Sequence, residues 1–203
     1  VREHVSRGAD SIKVMLSGGV ATAGRPVDSG AQFDDEEIAT LVQEAHRAGK
    51  RVLTHAISRE SIAAGLRAGV DSIDHGTFLD GKLARDMVER GTYLVPTFCP
   101  NYYYTSIRKA ESWRIERAEK ILEAHRLSFS IALEAGVKIA MGSDCGAPSR
   151  MPNGRNALEL ELLVNAGMEP ADAIVAGTSA AADLIGQANL GKLVPGATAD
   201  VIA

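Results

Sequence analysis

Five strand-sized apolar runs alternate along the chain with stretches whose apolar positions recur every three to four residues. This alternation predicts a parallel sheet built from βα units, an α/β fold. The runs are Asp10 to Leu16, Arg51 to His55, Asp71 to His75, Thr92 to Thr97 and Val137 to Met141. Between the first two, Ile38, Leu41, Val42 and Ala45 share one face of a helix from Asp35 to Ala48, and Asp34 with Glu37 has the spacing of a capping box. Helices over Ser58 to Ala68 and Asp80 to Arg90 stop at Gly69 and Gly91. Past the fourth run and the aromatic segment Asn101 to Tyr104, one long helix spans Ser106 to Ala135. The fifth run leads into a Gly- and Pro-rich loop, Gly142 to Asn153, the type of segment that carries function. Asn156 with Glu159 opens a helix to Ala166, and Pro170 to Ala176 and Ser179 to Ile185 form two short ones. Turn chemistry at Leu193-Val194-Pro195-Gly196 precedes an extended Ala199 to Ala203, so residues 188–203 are expected to begin a return into another small sheet. No solenoid period is present.

Composition excludes several classes. With 203 residues and 45% hydrophobic content the chain can bury the core of one domain, or of a large piece of one. A net charge of −4, with both signs interspersed, gives no basic stripe for nucleic acid. No apolar run approaches the roughly 20 residues that cross a bilayer, so no membrane partner is expected. Cys99 and Cys145 are too few for a disulfide framework and are not spaced for structural zinc, which favours a reducing, cytoplasmic setting. Val1 is not an initiator Met and begins within a helical pattern, as expected of the interior of a longer protein.

The candidate chemistry lies where polar residues interrupt apolar runs. Lys13, His55, His75 and Asp144 lie within or at the C-terminal end of four different runs. In parallel α/β barrels that rim is where catalytic groups converge. Taken singly, each has an ordinary explanation: a hydrogen-bonded rim histidine, an Asp capping a turn, a lysine paired with Asp144. Together they form a ligand set, because neutral imidazole suits zinc and similar metals and a carboxylate serves as ligand or general base. Lys13 inside a strand is expected to be buried, and burial lowers a lysine pKa enough for the neutral amine to react. Ser17, Gly18 and Gly19 offer backbone amides to substrate or form an ordinary turn; Tyr103, within Tyr102-Tyr103-Tyr104, lines a pocket or packs; Arg150 and Arg155 grip a substrate carboxylate or are solvated. His4, His46, His125 and Trp113 fall in helical segments and are taken as surface or packing residues.

Lys13 followed by Ser17-Gly18-Gly19, then Thr54-His55-Ala56, Asp71 to Gly76 and Gly142 to Gly146, resemble the amidohydrolase superfamily. The tail from Asn156 to Ile174, Gly177 to Gly186 and Leu190 to Ile202 is similar to its imidazolonepropionase-related and Xaa-Pro dipeptidase-like branch. The resemblance implies a (β/α)8 barrel of which residues 1–187 are the C-terminal part, strands four to eight, with a truncated β-sandwich beginning at 188. It implies a binuclear zinc site in which Lys13, carboxylated by CO2, bridges the metals. His55 and His75 would hold one metal with that carbamate, and Asp144 would touch the other and carry the proton. The chain departs from the pattern in having no His-x-His, and in carrying Ile57 where peptidase-like relatives are expected to have Tyr or His.

Four readings follow. The first is a hydrolase of C–N bonds in small amides or dipeptides, and Lys13 favours it over the second, an imidazolonepropionase-like cyclic amidase. The third is a non-catalytic half-barrel fragment that binds one metal or none. The fourth is an isomerase or aldolase using Lys13 as a Schiff base, which leaves both histidines unexplained. Open sheet edges at the first and fifth runs imply a homo-oligomer or pairing with the missing N-terminal half.

Overall fold

The computed structural model describes residues 1–19, 22, 24, 26, 28–107, 111–146 and 152–200. After a short helix α1 (Arg2–Ser6), strands β1 (Ser11–Met15), β2 (Arg51–Ala56), β3 (Ser72–His75) and β4 (Tyr93–Val95) form a parallel sheet whose spatial order is the chain order. Helices α2 (Asp35–Arg47), α3 (Arg59–Ala68) and α4 (Gly81–Arg90) are the crossovers. Their ends follow the sequence rules. The Asp34 capping box is present, Ser58 and Asp80 cap α3 and α4, and Gly69 and Gly91 close them in the left-handed conformation.

Two-residue alternation splits each strand between two faces. In β1, Ile12 and Val14 are buried in the core with Val52, Ile62, Leu66, Ile73, Met87 and Phe129, whereas Lys13 and Met15 lie on the open face. Parallel register sets Met15 opposite His55 and Ala56 opposite His75, so the polar strand ends gather along one rim.

Several features differ from the sequence pattern. The fourth run keeps only Tyr93–Val95 as strand, since Pro96 has no N–H for the ladder and Thr97 turns left-handed at φ 56°. The fifth run makes a single parallel bridge, Leu94 to Ile139. Beyond it the Met141 amide leaves the sheet for the carbonyl of Ala176, in a π-helical turn. That turn, Ala176–Ala180, joins α8 (Pro170–Val175) to α9 (Ala181–Leu184), so the two expected short helices are one continuous rod. The long helix is α6 (Ser112–Ala135) alone, and the aromatic segment belongs to a separate helix, α5 (Cys99–Ile107).

Asn156 and Glu159 do not form a capping box either. Helix α7 (Leu158–Asn165) starts from Ala157, while the Asn156 side chain donates through Nδ2 to Ser143 Oγ at 2.9 Å. Residues 188–200 hold no strand, and the rest of the expected extended tail, 201–203, lies outside the described residues. No helix among the described residues is long and apolar enough to cross a membrane.

The rim opposite the polar strand ends carries a stability centre. Asp71 accepts from the Val52 amide at 2.8 Å, from His46 at 2.8 Å and from Arg51 at 2.6 Å. Burial pushes its pKa up, but these three donors outweigh that and hold it below the ordinary range. His46 is therefore a hydrogen-bond partner of Asp71 at the surface. Asp71→Asn is expected to destabilise the fold by about 1–3 kcal/mol, read as a lower urea midpoint, with the cavity at the other rim unchanged.

Candidate active site

Lys13, His55, His75 and Asp144 all line one cavity of 520 Å³ at the C-terminal rim, together with Ile57, Asn101, Tyr104 and Ile121. Three residues with left-handed backbones shape it: His75 at φ 71°, Thr97 at 56° and Asp144 at 48°. Non-glycine residues rarely adopt that region, and they concentrate at functional sites. Gly76 follows His75 at φ 63°, where an added Cβ would come within 2.5 Å of Leu94. Two consecutive left-handed residues thus swing the histidine off the end of β3.

Hydrogen bonding fixes the tautomer of His75. The Thr97 hydroxyl has one proton, donated to the Pro96 carbonyl at 2.6 Å, so its oxygen accepts from His75 Nδ1–H at 2.5 Å. Nε2 is then left with its lone pair, the arrangement that orients histidine ligands in metal sites. The His55 ring meets His75 edge-on with centroids 4.4 Å apart, and His55 Nε2 donates to the Gly18 carbonyl at 3.2 Å, leaving Nδ1 as its lone pair. Burial lowers the pKa of both rings, that of His75 well below the ordinary value; Lys13 adds to the effect at both and His55 adds to it at His75, while the Gly18 carbonyl acts the other way at His55, so the neutral form is favoured at both.

Lys13 differs from expectation in two ways. Its side chain is 45% exposed, because β1 is the edge strand, and its ion pair is with Asp74. The other Asp74 oxygen accepts from Ser72 Oγ at 2.6 Å. Strand alternation carried a signal for this partner, since Asp74 lies opposite to Ile73 and on the face of Lys13. Asp144 stands at the exposed mouth of the cavity. The protein around its carboxylate raises its pKa, while Lys13 and His55 pull it down.

The weaker candidates divide. Ser17 lines the cavity, but its oxygen accepts from the Ile57 amide at 2.9 Å and its proton goes to Gly18, so it braces β1 against β2. Gly18 faces His55 with its carbonyl, not its amide. Tyr103 is buried, and Tyr104 is the tyrosine on the cavity wall. Arg155 is exposed and is not among the cavity-lining residues, and Arg150 lies outside the described residues. His125 is the least exposed of the histidines, stacked on Phe98 at 4.3 Å with Nδ1 3.3 Å from the Asn101 amide. Burial pulls its pKa down to about 4, although the carbonyls of His75 and Pro96 act the other way. In the unfolded chain a histidine takes up its proton near pH 6.5. The unfolded state therefore binds more protons between 6.5 and 4, and stability falls as pH falls through that window. His125→Phe is expected to flatten the decline, measured as the slope of melting temperature against pH, with His55 and His75 supplying the remainder.

The donor set suits a divalent metal in part. Among the described residues, no three His, Cys, Asp or Glu side chains alone form a cluster that could hold one. His55 and His75 present neutral imidazoles and Asp144 a carboxylate at the same cavity, which is the chemistry zinc accepts. Lys13 as an ammonium has no lone pair to give and fits only once carboxylated.

A family model described as the amidohydrolase family matches residues 1–203. The chain belongs to the amidohydrolase family. Among amidohydrolases and related proteins, it is 36% identical over 210 residues to ochratoxinase of Aspergillus niger, covering 100% of this chain and 42% of that protein. A crystal structure of A. niger ochratoxinase superposes with a TM-score of 0.89 at 32% identity, over 98% of this chain and 45% of that one. A crystal structure of a Xaa-Pro dipeptidase with bound methionine in the active site gives 0.87 at 34%, over 98% and 50%. Imidazolonepropionase of Paracoccus denitrificans is 28% identical over 180 residues, covering 85% of this chain and 40% of that protein. The chain thus spans less than half the length of these curated relatives. The parallel sheet with outer crossover helices is part of an amidohydrolase barrel.

Proposed function

We propose that this chain supplies the lysine, two histidines and aspartate of a metal-dependent hydrolase that cleaves C–N bonds in small amides, with dipeptide-like substrates. The observation that carries the reading is the convergence of Lys13, His55, His75 and Asp144 on one cavity. Likeness to ochratoxinase and to a Xaa-Pro dipeptidase supports amides over other substrates.

In this reading His55 and His75 would hold zinc together with a carbamate on Lys13, and Asp144 would be the further ligand. Bound there, zinc polarises a carbonyl and makes water acidic near neutral pH. To become a carbamate, Lys13 would leave Asp74, lose its ammonium proton to solvent, form the N–C bond to CO2 through its neutral amine, and release a second proton from that nitrogen to solvent. Thr97 keeps the proton of His75 on Nδ1, and Asp144, with its raised pKa, takes a proton from water and returns it to the leaving nitrogen. Ile57, Ile121 and Tyr104 cover the apolar part of the substrate and exclude water.

A second reading, favoured by the Lys13–Asp74 pair, is that this stretch by itself binds one metal or none and acts only when further barrel strands or a second copy complete it. Metal content and hydrolysis of dipeptides and other small amides separate the two. Two zinc ions per chain, and turnover lost to a chelator and restored by zinc, are expected for the full-length protein. Stoichiometric zinc without turnover on any amide would overturn the hydrolase reading.

A further inference from the structure

Glu159, on α7, is fully buried. Its two carboxylate oxygens accept consecutive backbone amides at the start of α5, Phe98 at 2.7 Å and Cys99 at 2.8 Å. A carboxylate leaves water at high cost unless its lone pairs are filled. Here backbone donors fill them, at the positive end of a helix dipole. Burial nonetheless raises its pKa to about 7, with the Phe98 and Cys99 groups lowering it and Asp144 adding to the rise.

The place of these two amides matters. Strand β4 ends at Val95 and α5 begins at Cys99, so the turn between them lies in neither ladder. Within it is Thr97, left-handed, whose oxygen sets the tautomer of His75. Just beyond it α5 carries Asn101 and Tyr104 on the cavity wall. The start of α7 also reaches the other side of the site, because Asn156 donates to Ser143, the residue before Asp144.

We propose that Glu159 is a positioning residue for this site: by gripping the Phe98 and Cys99 amides it fixes Thr97, and through Thr97 it aims His75 into the cavity. The kinetic part of its test rests on the hydrolase reading, and the spectroscopic part does not. In the full-length protein with its metal removed by a chelator, nitrogen-15 NMR of the histidine rings reports which nitrogen of His75 carries the proton. The wild type is expected to show a single Nδ1–H tautomer. Glu159→Gln keeps the volume but only one acceptor, and Glu159→Ala keeps neither. His75 is expected to become a tautomer mixture in both, with kcat falling about tenfold in Gln and about a hundredfold in Ala, and KM moving much less. Variants that melt earlier but keep the His75 signals and kcat would overturn the proposal. A wild type that hydrolyses no amide would remove the hydrolase reading, and the ring signals would still decide the role of Glu159. If the Ala variant does not fold, the Gln variant decides by the same two readouts.

Discussion

Asp144→Asn is expected to lower kcat for amide hydrolysis by about 10²–10⁴-fold, the range that a positioned proton-transfer group contributes, with KM little changed. Asparagine is the informative replacement, because Asp144 sits at φ 48° and asparagine tolerates that backbone, so the loop keeps its course. What changes is the ability to bind and release a proton. The raised pKa of Asp144 implies that it holds its proton to a higher pH than an ordinary carboxylate. The acid limb of the wild-type pH–rate profile should vanish in the variant, and its position in the wild type reports how far a bound cation offsets that rise. An unchanged acid limb would assign that proton to another group.

Lys13→Met is expected to abolish turnover to at least about a hundredfold below wild type while changing stability by less than about 1 kcal/mol. The two magnitudes test different roles. As an ion-pair partner of Asp74, a half-exposed lysine contributes little to folding, and methionine replaces its stem. As the carboxylated ligand it determines whether a second metal stays, so zinc per chain should fall by one. Carbon-13 NMR after supplying labelled bicarbonate should show a carbamate carbon in wild type and none in the variant. Loss of stability without loss of zinc or activity would assign Lys13 to the ion pair alone.

Lys13, His55 and His75 were legible in the sequence because a polar residue in an apolar strand has few cheap explanations, and strand-end register does bring them to one rim. Asp74 was not, since a carboxylate one residue before a histidine attracts no notice until strand parity is set against Lys13. Glu159 was masked by a local pattern. Its spacing from Asn156 satisfies a capping box, while its actual partners lie about sixty positions back, at Phe98 and Cys99. The same contact explains why α5 was missed, because its start is fixed by a carboxylate from another helix and its face by three tyrosines of weak helix preference. Tyr103 packs and Tyr104 faces the cavity, a choice that the repeat Tyr102-Tyr103-Tyr104 does not encode.

The left-handed backbone of Thr97 places this molecule in conflict with selection for heat resistance. A β-branched residue held at φ 56° stores on the order of 1–3 kcal/mol that glycine would release. Evolution under thermal pressure alone would favour glycine there, and with the hydroxyl would go the bond that orients His75. The persistence of a strained threonine under such pressure would record what the site requires of the fold.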